Sequence, residues 1–279
     1  MIRPKKSLGQ HFLKDPEIAQ RIAKTLSAYR DLPVLEVGPG TGVLTRFLLE
    51  ERHNLSVAEI DGASVIYLNQ HFPELQGRIY MEDFLQMELK RLYDTPFCVI
   101  GNYPYYIASQ IFFKVLDNRE QIVCCAGMIQ KEVAERLSAP PGTRSFGILS
   151  ALIQPWYDVE YLFTVSEMVF DPPPKVQSAV IRMTRNTRTA LGCDEAVYKK
   201  VVKTSFNQRR KTLRNSMKPL LGKDFPHFDR PIFDKRPEQL SIEQFIELTR
   251  ITEAFMTEAF MTETFMTGTT IAKNETDTP

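Results

Sequence analysis

Three glycines and one acid set the first chemical constraint. In VLEVGPGTGVLT (34–45), Gly38, Gly40 and Gly42 stand between an apolar strand-like run and a helix-like one. Glycines at such a corner let the backbone turn tightly and come close to a ligand. The spacing is E-x-G-x-G-x-G. Val43 occupies the place where the dinucleotide pattern G-x-G-x-x-G needs its last glycine. The loop has no lysine, and Thr41 and Thr45 are its hydroxyls, which excludes a phosphate-cradling P-loop. Glu59 ends the next apolar run, where doubly wound nucleotide folds place the acid that binds ribose hydroxyls. A nucleoside without a phosphate chain fits, and an acid near the loop suits a cation. S-adenosylmethionine, an adenosine carrying a sulfonium, meets both conditions. The same pattern also occurs as a plain strand-to-helix turn.

A second cluster follows at VIGNYPYY (99–106). Val99 and Ile100 end a buried strand, Gly101 breaks it, and Asn102, Tyr103, Pro104, Tyr105 and Tyr106 follow without a charge. A surface turn takes Asn and Pro but rarely three tyrosines beside them. The cluster is either an aromatic-packed corner or a binding site, and its residues alone do not choose.

Other chemistries are poorly supplied. Cys98, Cys124 and Cys125 lie in apolar runs, Cys193 stands alone, and no C-x-x-C occurs, so neither zinc nor a disulfide framework is expected. His11, His53, His71 and His227 make no metal-ligand spacing. The 279 residues are 43% hydrophobic and 25% charged, as in a globular protein of one large or two ordinary domains. No apolar stretch reaches membrane-spanning length, and the N-terminus lacks an apolar signal core, so a cytoplasmic protein with no membrane partner is expected.

The net charge of +1 hides a strong asymmetry. Residues 1–14 hold Arg3, Lys5, Lys6 and Lys14 and no acid; residues 196–223 hold nine lysines and arginines and no acid. Solvated helix faces usually mix signs, so these segments suggest a polyanion partner.

The elements that must position these residues alternate. Asp15-Pro16-Glu17 starts a helix, with Asp as N-cap and Pro at the first turn. Strands are expected at 33–38, 55–60, 78–83 and 97–102, then in QIVCCAGMIQ, DVEYLFTV and AVIRMTR, with helices between them. This is an α/β domain with a mainly parallel sheet. From Asp194 to Arg250 the pattern is helical, and Ser241 with Gln244 forms a capping box. The tail repeats EAFMT, EAFMT, ETFMT with period five, which sends its phenylalanines around a helix instead of along one face. The expected division is an α/β domain at 1–190, a basic helical domain at 191–251 and a disordered tail at 252–279.

The motifs QHFL, LEVGPGTGVLT, AEID, EDFL, NYPYY, QKEVAERL, VFDPPPKVQSAV and SFNQRRKTLRNS occur in that order. Together they resemble the ribosomal RNA adenine N6,N6-dimethyltransferase family, in particular its bacterial small-subunit branch, over residues 3–250. The resemblance implies a Rossmann-like S-adenosylmethionine-dependent methyltransferase domain with a smaller C-terminal all-helical domain. It implies methyl transfer to N6 of two adjacent adenines in the 3′-terminal hairpin loop of 16S ribosomal RNA, within the immature 30S subunit. A monomer is expected. His11 and Leu13 match a motif closing over the cofactor, Gly38 and Gly40 the loop beneath its methionine part, Glu59 the ribose acid, and Asp83 the acceptor for the adenine amine. Many relatives carry Asn where His11 stands.

In this family the cluster at 102–105 resembles N-L-P-Y, with Tyr103 replacing Leu. The N6 amine of adenine is a poor nucleophile because its lone pair is delocalised into the ring. The Asn102 side-chain carbonyl, also placed at the cofactor, and the carbonyl of residue 103 are acceptors that favour a pyramidal amine. Tyr105 stacks on the flipped base. Phe170, opening FDPPPKV, matches a second aromatic wall, or is a core phenylalanine before a proline-rich turn. Lys5, Lys6, Arg209, Arg210, Lys211 and Arg214 are expected to grip RNA backbone, Arg210 and Arg214 on one helix face. A non-catalytic RNA-binding factor would lack Glu59 or Asn102, and both are present. A DNA adenine methyltransferase would carry D-P-P-Y or N-P-P-Y, and Tyr103 stands in place of its first Pro.

Overall fold

The computed structural model describes residue 5 and residues 10–272, with side chains to 258. The described chain divides into two compact units, one of residues 1–138 with 156–187, the other of 139–155 with 188–279.

Among the described residues the first unit carries nine strands: β1 (Phe12–Leu13), β2 (Pro33–Val37), β3 (Asn54–Ala58), β4 (Ile79–Tyr80), β5 (Phe97–Asn102), β6 (Ile122–Gln130), β7 (Tyr157–Val165), β8 (Phe170–Asp171) and β9 (Ser178–Arg185). Seven of them form one sheet in the order β4-β3-β2-β5-β6-β9-β7. The pairs from β4 to β6 are parallel, and β9 runs antiparallel to both β6 and β7. Chain order therefore reverses between β2 and β5, the switch point where open α/β sheets bind ligands beyond the strands' carboxyl ends. Val34, Leu35, Val99, Ile100, Cys124 and Cys125 are fully buried, as parallel strands covered on both faces require.

Its helices are α1 (Pro16–Ala23), α2 (Val43–Glu50), α3 (Gly62–His71), α4 (Ala108–Asp117) and α5 (Lys131–Ser138). Asp15 caps α1 by accepting from the amides of Glu17 and Ile18, and Ala19, Ile22 and Ala23 turn inward. The short strands β1 and β8 pair antiparallel, Phe12 opposite Asp171 and Leu13 opposite Phe170. That two-stranded ribbon was not foreseen, because two residues carry no period. The strand expected at 78–83 shrinks to Ile79–Tyr80.

The second unit holds α6 (Ile148–Ile153), α7 (Glu195–Asn207), α8 (Leu213–Ser216), α9 (Lys218–Leu221) and α10 (Ile242–Ala272). Residues 139–155 join this unit although they precede the expected boundary at 190. Tyr198 on α7 donates its hydroxyl to the Ala151 carbonyl at 2.8 Å, and the Gly142 amide donates to Glu238 at 2.7 Å.

Two expectations need correction. The expected disordered tail begins as helix, since α10 continues to Ala272. Phe255 meets Phe225 edge-on at 4.9 Å, Thr252 is buried with its hydroxyl on the Leu248 carbonyl, and Glu253 accepts from the Asp194 amide. Residues 273–279 lie outside the described residues. RRKTLRN is not one helix either. α7 stops at Asn207, Gln208 leaves the helical region (φ −123°, ψ 52°), and a turn intervenes before α8. Arg210 and Arg214 therefore do not share a helix face.

Candidate active site

The carboxyl ends of β2, β3 and β5 open onto a cavity of about 460 Å³ within the first unit. That size is within the range of small-ligand sites. Its wall takes residues from the segment before α1 (Gln10 to Leu13), the glycine loop (Gly38 to Thr41), the end of β3 (Ala58 to Ile60), the loop 82–86 and the cluster 102–107. Gly38, Gly40, Glu59, Asp83, Asn102, Tyr105, His11 and Leu13, which the sequence places at the cofactor or the target base, all line it.

The glycine loop is built for close approach. Gly42 caps α2 in the left-handed region at φ 77°, and a Cβ there would sit 2.3 Å from the Phe72 ring. A Cβ on Gly40 would lie 3.0 Å from the Phe12 ring.

Glu59 is almost fully buried, with its two oxygens held apart: Oε2 accepts from the Gly40 amide at 3.0 Å and Oε1 from the Asp61 amide at 2.8 Å. Each keeps a lone pair for a ligand hydroxyl. Burial pushes its carboxyl above the ordinary range against the pull of those amides. Glu36 lies deeper, accepts from the Thr45 hydroxyl at 2.7 Å and is pushed by burial up to about 8. The sequence carried a signal for Glu36, an acid inside a buried apolar run, and its role at the cavity went unforeseen. Asp61 caps α3 and receives the Lys5 ammonium at 2.5 Å. Burial raises the Asp61 carboxyl, but Lys5, the Ala63 amide and the Ser64 hydroxyl outweigh it and hold it below its usual range. Lys5, expected on RNA, is thus engaged on Asp61 beside Glu59. Lys6 lies outside the described residues.

At the other end of the cavity the Asn102 side-chain amide donates to the His11 carbonyl at 3.2 Å. This fixes the amide and leaves Oδ1 as a free acceptor among the described residues. The Tyr105 ring stacks on the His11 imidazole, centroids 5.6 Å apart, and its hydroxyl shares a 2.5 Å hydrogen bond with Ser178. His11 Nδ1 in turn lies 2.7 Å from the Pro172 carbonyl. Tyr103 points the opposite way. Its ring is buried against Gly101 and Gly127, which face each other across β5 and β6, and its hydroxyl donates to the Ala126 carbonyl at 2.8 Å. The replacement of Leu by Tyr therefore fills the core and leaves the cavity mouth to Asn102 and Tyr105.

Phe170 is corrected. It is 1% exposed, packs in the core cluster with Leu13, Met128 and Val180, and does not line the cavity. Its pairing with Leu13 across the β1–β8 ribbon draws it inward. Tyr105 and the exposed Tyr106, which follow Asn102 closely in the chain, are among the aromatic residues that do line the cavity. In the second unit the Arg209 guanidinium donates to the Arg144 carbonyl, Arg214 pairs with Asp234 at 2.5 Å, and Arg210 and Lys211 are exposed on the turn. Among the described residues no cluster of His, Cys, Asp and Glu is arranged to hold a metal ion, and no helix is long and apolar enough to cross a membrane.

Comparison with known proteins gives a consistent set of likenesses. The family model described as ribosomal RNA adenine dimethylase matches residues 1–253. A ribosomal RNA small subunit methyltransferase A from Parabacteroides distasonis is 70% identical over 253 residues, 91% of this chain and 95% of that protein. The Bacteroides thetaiotaomicron protein of the same name is 62% identical over 254 residues, with 91% and 95% covered. Among solved structures, a dimethyladenosine transferase from Plasmodium falciparum matches with TM-score 0.72 at 24% identity, covering 85% of this chain and 96% of that one, a likeness of fold. The 23S rRNA methyltransferase ErmE matches with TM-score 0.64 at 26% identity, over 87% and 99%.

Proposed function

Because the chain belongs to the ribosomal RNA adenine dimethylase family, we propose that it methylates N6 of two adjacent adenines in the 3′-terminal hairpin loop of small-subunit ribosomal RNA, to N6,N6-dimethyladenosine. Its methyl donor is S-adenosylmethionine, its substrate the immature 30S subunit, its compartment the cytoplasm and its working form a monomer.

The observation that carries this reading is the fixed Asn102 amide. Donation from its nitrogen to the His11 carbonyl presents an unpartnered Oδ1 at the mouth of a cavity whose floor is a glycine loop and a buried acid. The donor set fits the methyl donor. Glu59 offers two lone pairs to ribose hydroxyls, and Asp83 offers an acceptor to the adenine amine while its Oδ1 takes the Leu85 amide at 2.9 Å. Glu36 brings a carboxyl that a cation would ionise. When bound, S-adenosylmethionine supplies an electrophilic methyl on a sulfonium that leaves without help.

The protein's work is therefore on the amine. Asn102 Oδ1 and the carbonyl of residue 103 accept the two N6 hydrogens, favour pyramidal nitrogen and free its lone pair. Tyr105 stacks on the extruded base, its plane fixed by Ser178 and His11. No general base is needed early, because the amine becomes acidic as it gains the methyl. Positioning supplies most of the rate. After the first methylation one hydrogen remains, so one acceptor stays engaged while the pocket admits a methyl group. Arg210 and Lys211 on the exposed turn hold RNA backbone.

The test is incubation with labelled S-adenosylmethionine and either immature small subunits or large-subunit RNA. Label in the small-subunit adenines supports the reading. Label confined to large-subunit RNA moves the chain to the other branch of the family.

A further inference from the structure

Lys114 lies on α4, the helix that leaves the 102–105 cluster, and reaches across to the loop after β4. Its ammonium donates to the Met87 carbonyl at 2.6 Å and to the Leu85 carbonyl at 3.0 Å, and lies 5.9 Å from the centre of the Phe84 ring. That loop is wound on Asp83. The Leu85 amide donates to Asp83 Oδ1, and the amides of Gln86 and Met87 donate to the Asp83 main-chain carbonyl at 2.8 and 3.1 Å. Met87 thus gives its amide to Asp83 and its carbonyl to Lys114. The loop has no regular secondary structure to hold Asp83, and Lys114 reaches it from a helix whose inner face, Ile111, Phe112 and Val115, is fully buried.

We propose that Lys114 is a positioning residue for the adenine end of the cofactor site: it holds the 83–87 loop so that the free oxygen of Asp83 meets the adenine amine, and it fastens that hold to the helix behind Asn102. The inference rests on the reading of Asp83 as the amine acceptor. A charged donor on two carbonyls makes a stronger clamp than a neutral one. Burial lowers the Lys114 pKa, opposed by the carboxylates of Asp83, Glu82 and Asp117.

The experiment is a double-mutant cycle on the folded full-length chain, read by calorimetric titration with S-adenosylhomocysteine and with its inosine counterpart, which lacks the amine. Asp83→Ala is expected to weaken S-adenosylhomocysteine binding about tenfold or more, and Lys114→Met about five- to tenfold. The double variant should bind no more weakly than Asp83→Ala, because both changes remove one interaction. The inosine ligand should bind the wild type and Lys114→Met alike, and Lys114→Arg should recover part of the loss. If Lys114→Met binds as the wild type does, or adds its full loss to that of Asp83→Ala, the proposal is overturned while Asp83 keeps its role. If Asp83→Ala alone changes nothing, the reading of Asp83 fails. If Lys114→Met does not fold, Lys114→Gln enters the same cycle, and failure of both to fold overturns the proposal by making Lys114 a structural prop.

Discussion

Asn102 and Tyr103 are adjacent in the chain and opposite in environment. Among the described residues Asn102 keeps a free acceptor at the cavity, whereas the Tyr103 ring is packed over Gly101 and Gly127 of β5 and β6 with its hydroxyl on the Ala126 carbonyl. Their substitutions should separate accordingly. On the proposed mechanism Asn102→Ala removes an acceptor whose grip strengthens as N6 pyramidalises, so the loss belongs to the chemical step. Single-turnover methylation of small-subunit substrate, with both substrates saturating, should slow by about 10²–10³, with RNA affinity little changed. Transfer of the first methyl at the wild-type rate would return the cluster to an aromatic corner. Tyr103→Phe removes the hydrogen bond to the buried Ala126 carbonyl and should lower stability by about 0.5–1.5 kcal/mol in urea titration, leaving the rate nearly intact. Glu36 makes a pH prediction. Its folded carboxyl is raised from 4.5 to about 8, so between those values the native state holds a proton that the unfolded chain lacks. The group's contribution is therefore most favourable below 4.5 and declines as pH rises toward 8. Glu36→Gln, which keeps an acceptor for Thr45, should stabilise the ligand-free protein at about pH 8.5 by on the order of 2–4 kcal/mol and have little effect near pH 5. Urea midpoints at the two pH values check this, and a gain equal at both would move the cause away from ionisation.

At the level of elements, legibility followed the strength of each local signal. β2, β5 and β6 were readable because parallel strands are continuous apolar runs, and α1 because Asp15 and Pro16 mark its start. Their ends, with that of β3, located the glycine loop, Glu59 and Asn102, and with them most of the cavity. Missed were elements that exist through tertiary pairing. The β1–β8 ribbon has two residues a side, and α6 is a single apolar stretch indistinguishable from a strand. The turn at 208–212 was hidden because its lysine and arginines are good helix formers that tertiary context overrides. Phe170 was misplaced for a related reason: a motif gives a residue's neighbours in sequence and not the direction of its ring. The glycine loop shows the reverse case, where one missing carbon is dictated from afar. Gly42→Ala would force a side chain onto φ 77° and place its Cβ 2.3 Å from Phe72. Strain and overpacking together should cost about 2–4 kcal/mol, visible as a lowered thermal midpoint. Wild-type stability in this variant would show that the α2 N-terminus moves freely.

Across the whole molecule the near-neutral charge of +1 conceals basic stretches that hold no acid, and an RNA substrate meets that distribution, not its sum. The structure sorts the basic residues by what already occupies them. Lys5 is on Asp61, Arg214 on Asp234, and Arg209 on the Arg144 carbonyl, while Arg210 and Lys211 are exposed on the turn after α7. A cation already paired gives up an attraction when it moves to phosphate, so its net contribution to RNA binding is smaller. Replacing Arg210 and Lys211 together by alanine should therefore weaken binding to small-subunit RNA and reduce the slope of log affinity against log salt by about 0.7–0.9 per lost phosphate contact. Replacing Arg214 alone should change that slope less. S-adenosylhomocysteine affinity should be untouched in all of these variants, since none of the three residues lines the cavity. The measurement is a salt series of RNA binding beside one calorimetric titration for each variant. A slope unaltered in the Arg210 and Lys211 double variant would mean that the turn faces solvent when the RNA is bound, and the grip on its backbone would have to be sought among Lys199, Lys200 and Lys203 on α7.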